Sequence, residues 1–129
     1  MDKQIINIKL LDNGDVQFKN GRKETPYNRV ITINYEYVEF VTNHKHLTYV
    51  DTEDYCTFAL WANPVHMDHA DIRKGVVAIE NGYSHRSVAA LIMHTKSGQR
   101  VGYRDGNRFN LRKSNLYIIG DVEEAEEEA

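Results

Sequence analysis

Residues 100–116 read Arg100-Val101-Gly102-Tyr103-Arg104-Asp105-Gly106-Asn107-Arg108-Phe109-Asn110-Leu111-Arg112-Lys113-Ser114-Asn115-Leu116. The fold turns on this stretch. Val101 to Tyr103 is the end of a short strand, and Asp105-Gly106-Asn107 is a tight turn built from residues that tolerate left-handed backbone. A polar loop dense in Arg and Asn follows. Ser114 offers an N-cap-like start to the apolar run Leu116 to Ile119. Arg100, Arg104, Arg108, Arg112 and Lys113 put five cations into these residues, and Asp105 is the only acid between them.

Working outward, the charge is unevenly divided. The 129-residue chain carries a net charge of -3. Residues 85–113 hold seven Lys/Arg and one acid, whereas residues 114–129 hold six acids and no Lys/Arg. A basic segment beside an acidic tail suggests an interaction surface. Length and 41% hydrophobic residues fit one ordinary domain with a modest core. No apolar run approaches the ~20 residues that span a bilayer, and the opening Met-Asp-Lys-Gln has no signal-peptide core. The single cysteine, Cys56, excludes an internal disulfide and a cysteine-based zinc cluster. The expectation is a cytoplasmic protein without a membrane partner.

The rest of the chain reads as α+β. Asn13-Gly14 between Ile5–Leu11 and Val16–Lys19 is a hairpin signal. Arg22 to Asn28 reads as a loop. Arg29 to Thr42 is one long strand or two short ones, with Val30, Thr32, Asn34 and Glu36 on one face and Ile31, Ile33, Tyr35 and Tyr37 on the other. Asn43 to His46 is a turn and Leu47 to Val50 a strand. Asp51 or Thr52 caps a helix from about Glu53 to Trp61, with acids in its first turn. Gly75 to Glu80 is a strand. Ser84 caps a helix from about His85 to His94, with Val88, Ala89, Leu91 and Ile92 as its apolar stripe. Three regions follow: a β-rich region over 1–46, the motif region over 47–122 and an acidic tail over 123–129, forming one compact domain.

The stretch 100–116 resembles the HNH endonuclease family, in particular its small phage and homing-type members, whose motif runs roughly V-D-H-I-N-G-N-R-x-D-N-R-x-S-N-L. Val101, Gly106, Asn107, Arg108, Arg112, Ser114, Asn115 and Leu116 fall on it in register. Upstream, Leu91-Ile92-Met93 is similar to the end of the family's L-H-R-L-I-M, with Ala89 in place of its His. Tyr49 to Tyr55 with Leu60-Trp61 is similar to its V-D-x-E-D-Y leader. The likeness covers about residues 47 to 119 and implies a ββα finger near residues 99 to 122, preceded by N-terminal strands. It also implies an origin in a bacteriophage or mobile element.

The resemblance implies the fold without its chemistry. The family's Asp is a metal ligand and its His a general base. Gly102 and Tyr103 stand at those positions. Glycine has no ligand atom, and a phenol with an ordinary pKa of ~10 is a poor base. The family's third group falls on Glu124, inside the acidic tail. No catalytic residue and no divalent metal cofactor are therefore expected. The reading is a non-catalytic protein that binds DNA or another polyanion through Arg100, Tyr103, Arg104, Arg108, Arg112 and Lys113, with Asn107 and Asn115 structural. One alternative is an inhibitor or adaptor that binds a host protein, such as a nucleic-acid enzyme or defence system. Another is a weakly active nuclease using Glu124, Asp105 or a loop histidine. His66-Met67-Asp68-His69 has ligand types for zinc or manganese, but exposed loop histidines are the plainer reading.

Overall fold

A computed structural model describes residues 8–68, 76–81 and 84–120, and the side chains of 68, 81, 84 and 85 lie outside that description. Within these limits the chain is α+β: short strands in several sheets and two short helices.

The first hairpin forms where Asn-Gly places it. Strands β1 (Ile8–Leu10) and β2 (Val16–Phe18) pair antiparallel, and β2 continues to β3 (Lys23–Glu24). Gly14, at φ 96°, supplies the left-handed turn residue, and Asn13 accepts a hydrogen bond from the Asp15 amide. The expected loop over Arg22 to Asn28 thus includes a two-residue strand.

The central sheet has the order β11-β6-β5-β4. It contains β4 (Val30–Ile33), β5 (Tyr37–Val41), β6 (Leu47–Asp51) and β11 (Asn110–Leu111), with β11 parallel to β6 and the other pairs antiparallel. Residues 29–42 do not alternate as one strand. A register shift between Val30 and Thr32 breaks the period, and Asn34 makes a turn by accepting the Glu36 and Tyr37 amides. Val30, Val38 and Phe40 are consequently buried, while Ile31 and Tyr35 are exposed. The expected face assignment fails because it ignores the bulge and turn. This sheet also ties residues before position 46 to residues of the motif, through the β5–β6 hairpin and the β6–β11 pair.

Helix α1 (Thr52–Thr57) is shorter than expected, and Leu60 packs into the core beyond it. A third sheet contains β7 (Val65–Asp68), β8 (Val76–Asn81) and β9 (Ser84–Ser87). Pairing of β9 with β8 claims His85 to Ser87, so α2 (Val88–Met93) starts later than the sequence suggests. Ser87, not Ser84, caps it by accepting the Ala90 amide. Last, β10 (Arg100–Tyr103) pairs antiparallel with β12 (Leu116–Ile119). Ser114 lies in a 3-10 turn rather than at the head of a helix, because the ladder to β10 satisfies the backbone of Leu116 to Ile119. Two strands thus lie where a ββα finger was expected, and the segment expected to open its helix, Leu116 to Ile119, is the second of them, so no such finger is seen among the described residues, which end before 121.

The core joins Val16, Val38, Phe40, Val50, Tyr55, Leu60, Val77, Val88, Ile92, Leu111 and Leu116, so every sheet and both helices contribute to it. Among the described residues no helix is long and apolar enough to cross a membrane.

Candidate nucleic-acid interface

The loop between β10 and β12 is held by its own short polar side chains. Asp105 accepts the Asn107 amide at 2.8 Å and the Asn110 side-chain amide at 3.0 Å. These bonds, the one from Asn110 foremost, hold its carboxyl below the usual value. Asn107 accepts the Phe109 amide, and Asn110 accepts the Arg112 amide. Asn115 is only 7% exposed; it accepts the Asp105 amide at 3.0 Å and donates to the Asn110 carbonyl at 2.9 Å. Gly106 sits at φ 77°, where the turn needs a left-handed residue. Asn107 and Asn115 therefore both occupy bonding positions within the loop.

A second set of contacts docks the loop on β6 and α1. The Tyr49 amide donates to the Phe109 carbonyl at 2.8 Å, and the Phe109 ring stacks on His46 at 4.6 Å. Arg112 donates through Nε to Asp51 at 2.9 Å, with its guanidinium over the Tyr37 ring and 4.0 Å from Glu36. The Lys113 amide donates to the other Asp51 oxygen at 3.1 Å. Lys113 Nζ lies 3.2 Å from Glu53 and 3.3 Å from Asp54. Asp51 stands at the N-cap position of α1 but makes no side-chain cap bond there; its carboxylate serves Arg112 and Lys113 instead.

Asp54 is 3% exposed, and its Oδ2 has no hydrogen-bond partner among the described residues. Burial pushes its pKa up, outweighing the opposite pull of Lys113. Burial acts to lower the Lys113 pKa, but the bond to Glu53 and the charge of Asp54 leave it raised. Arg112 and Lys113, both expected at a nucleic-acid surface, are thus engaged in an internal clamp.

The other expected residues are placed differently. Tyr103 packs against the core, where burial raises its pKa and the charge of Arg108 acts the other way. Arg108 is half-buried. Arg100 and Arg104 are exposed, and no acid among the described residues forms an ion pair with either. Between them Gly102 is covered: a Cβ there would meet Tyr117 Cζ at 2.5 Å and Ile119 Cδ1 at 2.9 Å. The Arg104 guanidinium lies 5.2 Å from the Tyr117 ring centre. Tyr117 is a member of this face that sequence reasoning missed. Its signal is the Gly102↔Tyr117 cross-strand pair, visible only once register is known.

At the positions of the resemblance's reacting groups, Gly102 has no side chain and Tyr103 faces the core. Glu124 lies outside the described residues. Asp105 is exposed and bonded within its own turn. His66 is in β7, and His69 is outside the described residues. Among the described residues no group of three or more His, Cys, Asp or Glu is arranged to hold a metal ion.

No family model matches the chain, and neither a curated protein nor a solved structure matches it.

Proposed function

We propose that this chain binds nucleic acid without cutting it, on a degenerate HNH-like scaffold of bacteriophage or mobile-element origin acting in the host cytoplasm. The observation that carries the reading is the exposed pair Arg100 and Arg104, the second beside the Tyr117 ring, with no acid among the described residues paired to either. Guanidinium groups so placed can neutralise phosphates and release counterions. The β10–β12 pair and the Asn115-held turn support the HNH-like scaffold. Gly102 and Tyr103 support the absence of cleavage, since one lacks a ligand atom and the other is directed at the core.

Fluorescence anisotropy with labelled duplex DNA at low salt tests binding. The full chain binds, and the Arg100→Ala, Arg104→Ala double variant loses most of that affinity. Supercoiled plasmid incubated with the protein and Mg2+, Mn2+ or Zn2+ stays intact. Nicking that disappears in a Glu124→Gln variant contradicts the non-catalytic reading.

A second reading has its own observation. Tyr27 and Tyr35 are 69% and 67% exposed, unusual for aromatic side chains of this size, and suit a protein partner. Host protein retained by the wild-type chain after nuclease treatment, and lost in Tyr27→Ala, Tyr35→Ala, favours the inhibitor or adaptor.

A further inference from the structure

We infer that the uncovered face of the β10–β12 ribbon reads base sequence in the major groove of duplex DNA, with Arg104 as the reading side chain. This rests on the nucleic-acid-binding reading above and narrows its ligand.

The ribbon has two unlike faces. Val101, Tyr103 and Leu116 pack toward the core. The other face carries Arg100 and Gly102 of β10, with Arg104 just past the strand's end, and Tyr117 and Ile119 over Gly102 from β12. Among the described residues no third strand pairs with either edge. Strands about 4.8 Å apart, with their side chains, make a body on the order of 10 Å across. That fits the ~12 Å major groove of B-DNA and is too wide for the ~6 Å minor groove. The deep, narrow major groove of duplex RNA excludes it.

Glycine at 102 is what permits this surface. Any side chain there would displace the Tyr117 ring, because even a Cβ comes within 2.5 Å of Cζ and 2.8 Å of Oη. With the ring seated on Gly102, Arg104 stacks over it at 5.2 Å. Contact with the ring restricts the guanidinium, and no hydrogen bond among the described residues occupies its N–H donors, a planar fork suited to the paired O6 and N7 acceptors of guanine. Tyr117 stays 39% exposed beside the guanidinium, so the face presents hydrogen-bond donors next to an aromatic ring. The ribbon's width is what favours the major groove of a duplex. Arg100, at the opposite end of β10 and paired with Ile119, serves a phosphate instead.

The test is selection from a random-sequence duplex DNA pool by the full chain, followed by sequencing of the retained molecules. Wild type enriches a fixed guanine. Arg104→Ala still binds but loses preference at that position alone. Arg100→Ala binds more weakly with the preference unchanged. Replacing the selected guanine by 7-deazaguanine, which lacks N7, weakens wild type about tenfold and weakens Arg104→Ala no further. Inosine, which lacks only the minor-groove amino group, binds like guanine. Gly102→Ala, with its fold checked by circular dichroism, loses the preference as Arg104→Ala does. Binding with no enriched base overturns base reading and leaves the polyanion reading standing. Sensitivity to inosine but not to 7-deazaguanine overturns the major-groove assignment. Failure to bind any duplex at low salt overturns both readings.

Discussion

Arg112 and Lys113 differ from Arg100 and Arg104 in a way that net charge does not show. The first two follow β11 and turn onto Asp51, Glu53 and Asp54, acids that open α1 about sixty residues earlier. The second two flank a ribbon face, where Arg104 meets the Tyr117 ring and neither meets an acid among the described residues. One pair fastens the loop to the body of the protein. The other leaves its charge available to a ligand. Cations close in sequence thus divide by what the fold sets beside them, and charge counted along the chain overstates the charge displayed.

The largest separation between the pairs should appear in stability. Lys113→Ala leaves the Asp54 carboxylate buried without its cation. The cost should be about 2 kcal/mol, below the ~3–5 expected for a fully buried pair because Lys113 is itself partly exposed. Urea denaturation measures it. Arg104→Ala, at an exposed position, should change stability by less than about 0.5 kcal/mol. Equal losses in the two variants would erase the distinction.

Asn115→Ala sharpens the comparison at the loop's centre. It removes the partners of the Asp105 amide and Asn110 carbonyl at a site 7% exposed, with a cost of about 1–2 kcal/mol. Duplex affinity should fall as well, because this residue sets where β10 leaves the ribbon. A loss of stability with no change in affinity would separate the loop from the binding face.

Titration distinguishes the two carboxylates. Asp54 has its pKa raised in the fold, so its contribution is fully present below 3.8 and is lost as pH rises through the raised value. Asp105 has its pKa lowered, so its contribution is present above 3.8 and is lost as pH falls through the lowered value. Relative to Asp54→Asn, wild type should therefore lose stability as pH rises above about 4. Relative to Asp105→Asn, it should lose stability as pH falls below that point. Urea midpoints across this range check both signs.

The smallest effect concerns the acidic tail, a feature of sequence alone. Deleting residues 122–129 removes five glutamates from the same polypeptide as the basic face. Duplex affinity should rise severalfold at about 50 mM salt and less at higher salt, since exposed charges interact weakly and are screened. Unchanged affinity would make the tail irrelevant to the binding face.

What the sequence made legible was local. Asn13-Gly14 marked the first hairpin, and Asp105-Gly106-Asn107 marked the turn that Asn115 completes, because such turns depend on residues close in the chain. Long-range pairing was not legible. Leu116 to Ile119 is apolar enough for either secondary structure, and its ladder to Arg100–Tyr103 decides the outcome. The start of α2 was misplaced because Ser84 and Ser87 are equally good caps, and strand pairing with β8 selects between them. The candidate site follows the same rule. Its cations were visible, but the acids that engage two of them and the tyrosine that orients a third come from elsewhere in the chain.

The most direct test of the division between clamp and display is the salt dependence of duplex binding. Wild type, the Arg100→Ala, Arg104→Ala double variant and Asp51→Asn are compared at several salt concentrations. The double variant should bind more weakly and lose about 0.9 from the slope of log affinity against log salt, the one phosphate contact of Arg100. Asp51→Asn should lower stability and keep the wild-type slope. A double variant with the wild-type slope, or an Asp51→Asn slope reduced as much as that of the double variant, would contradict the account.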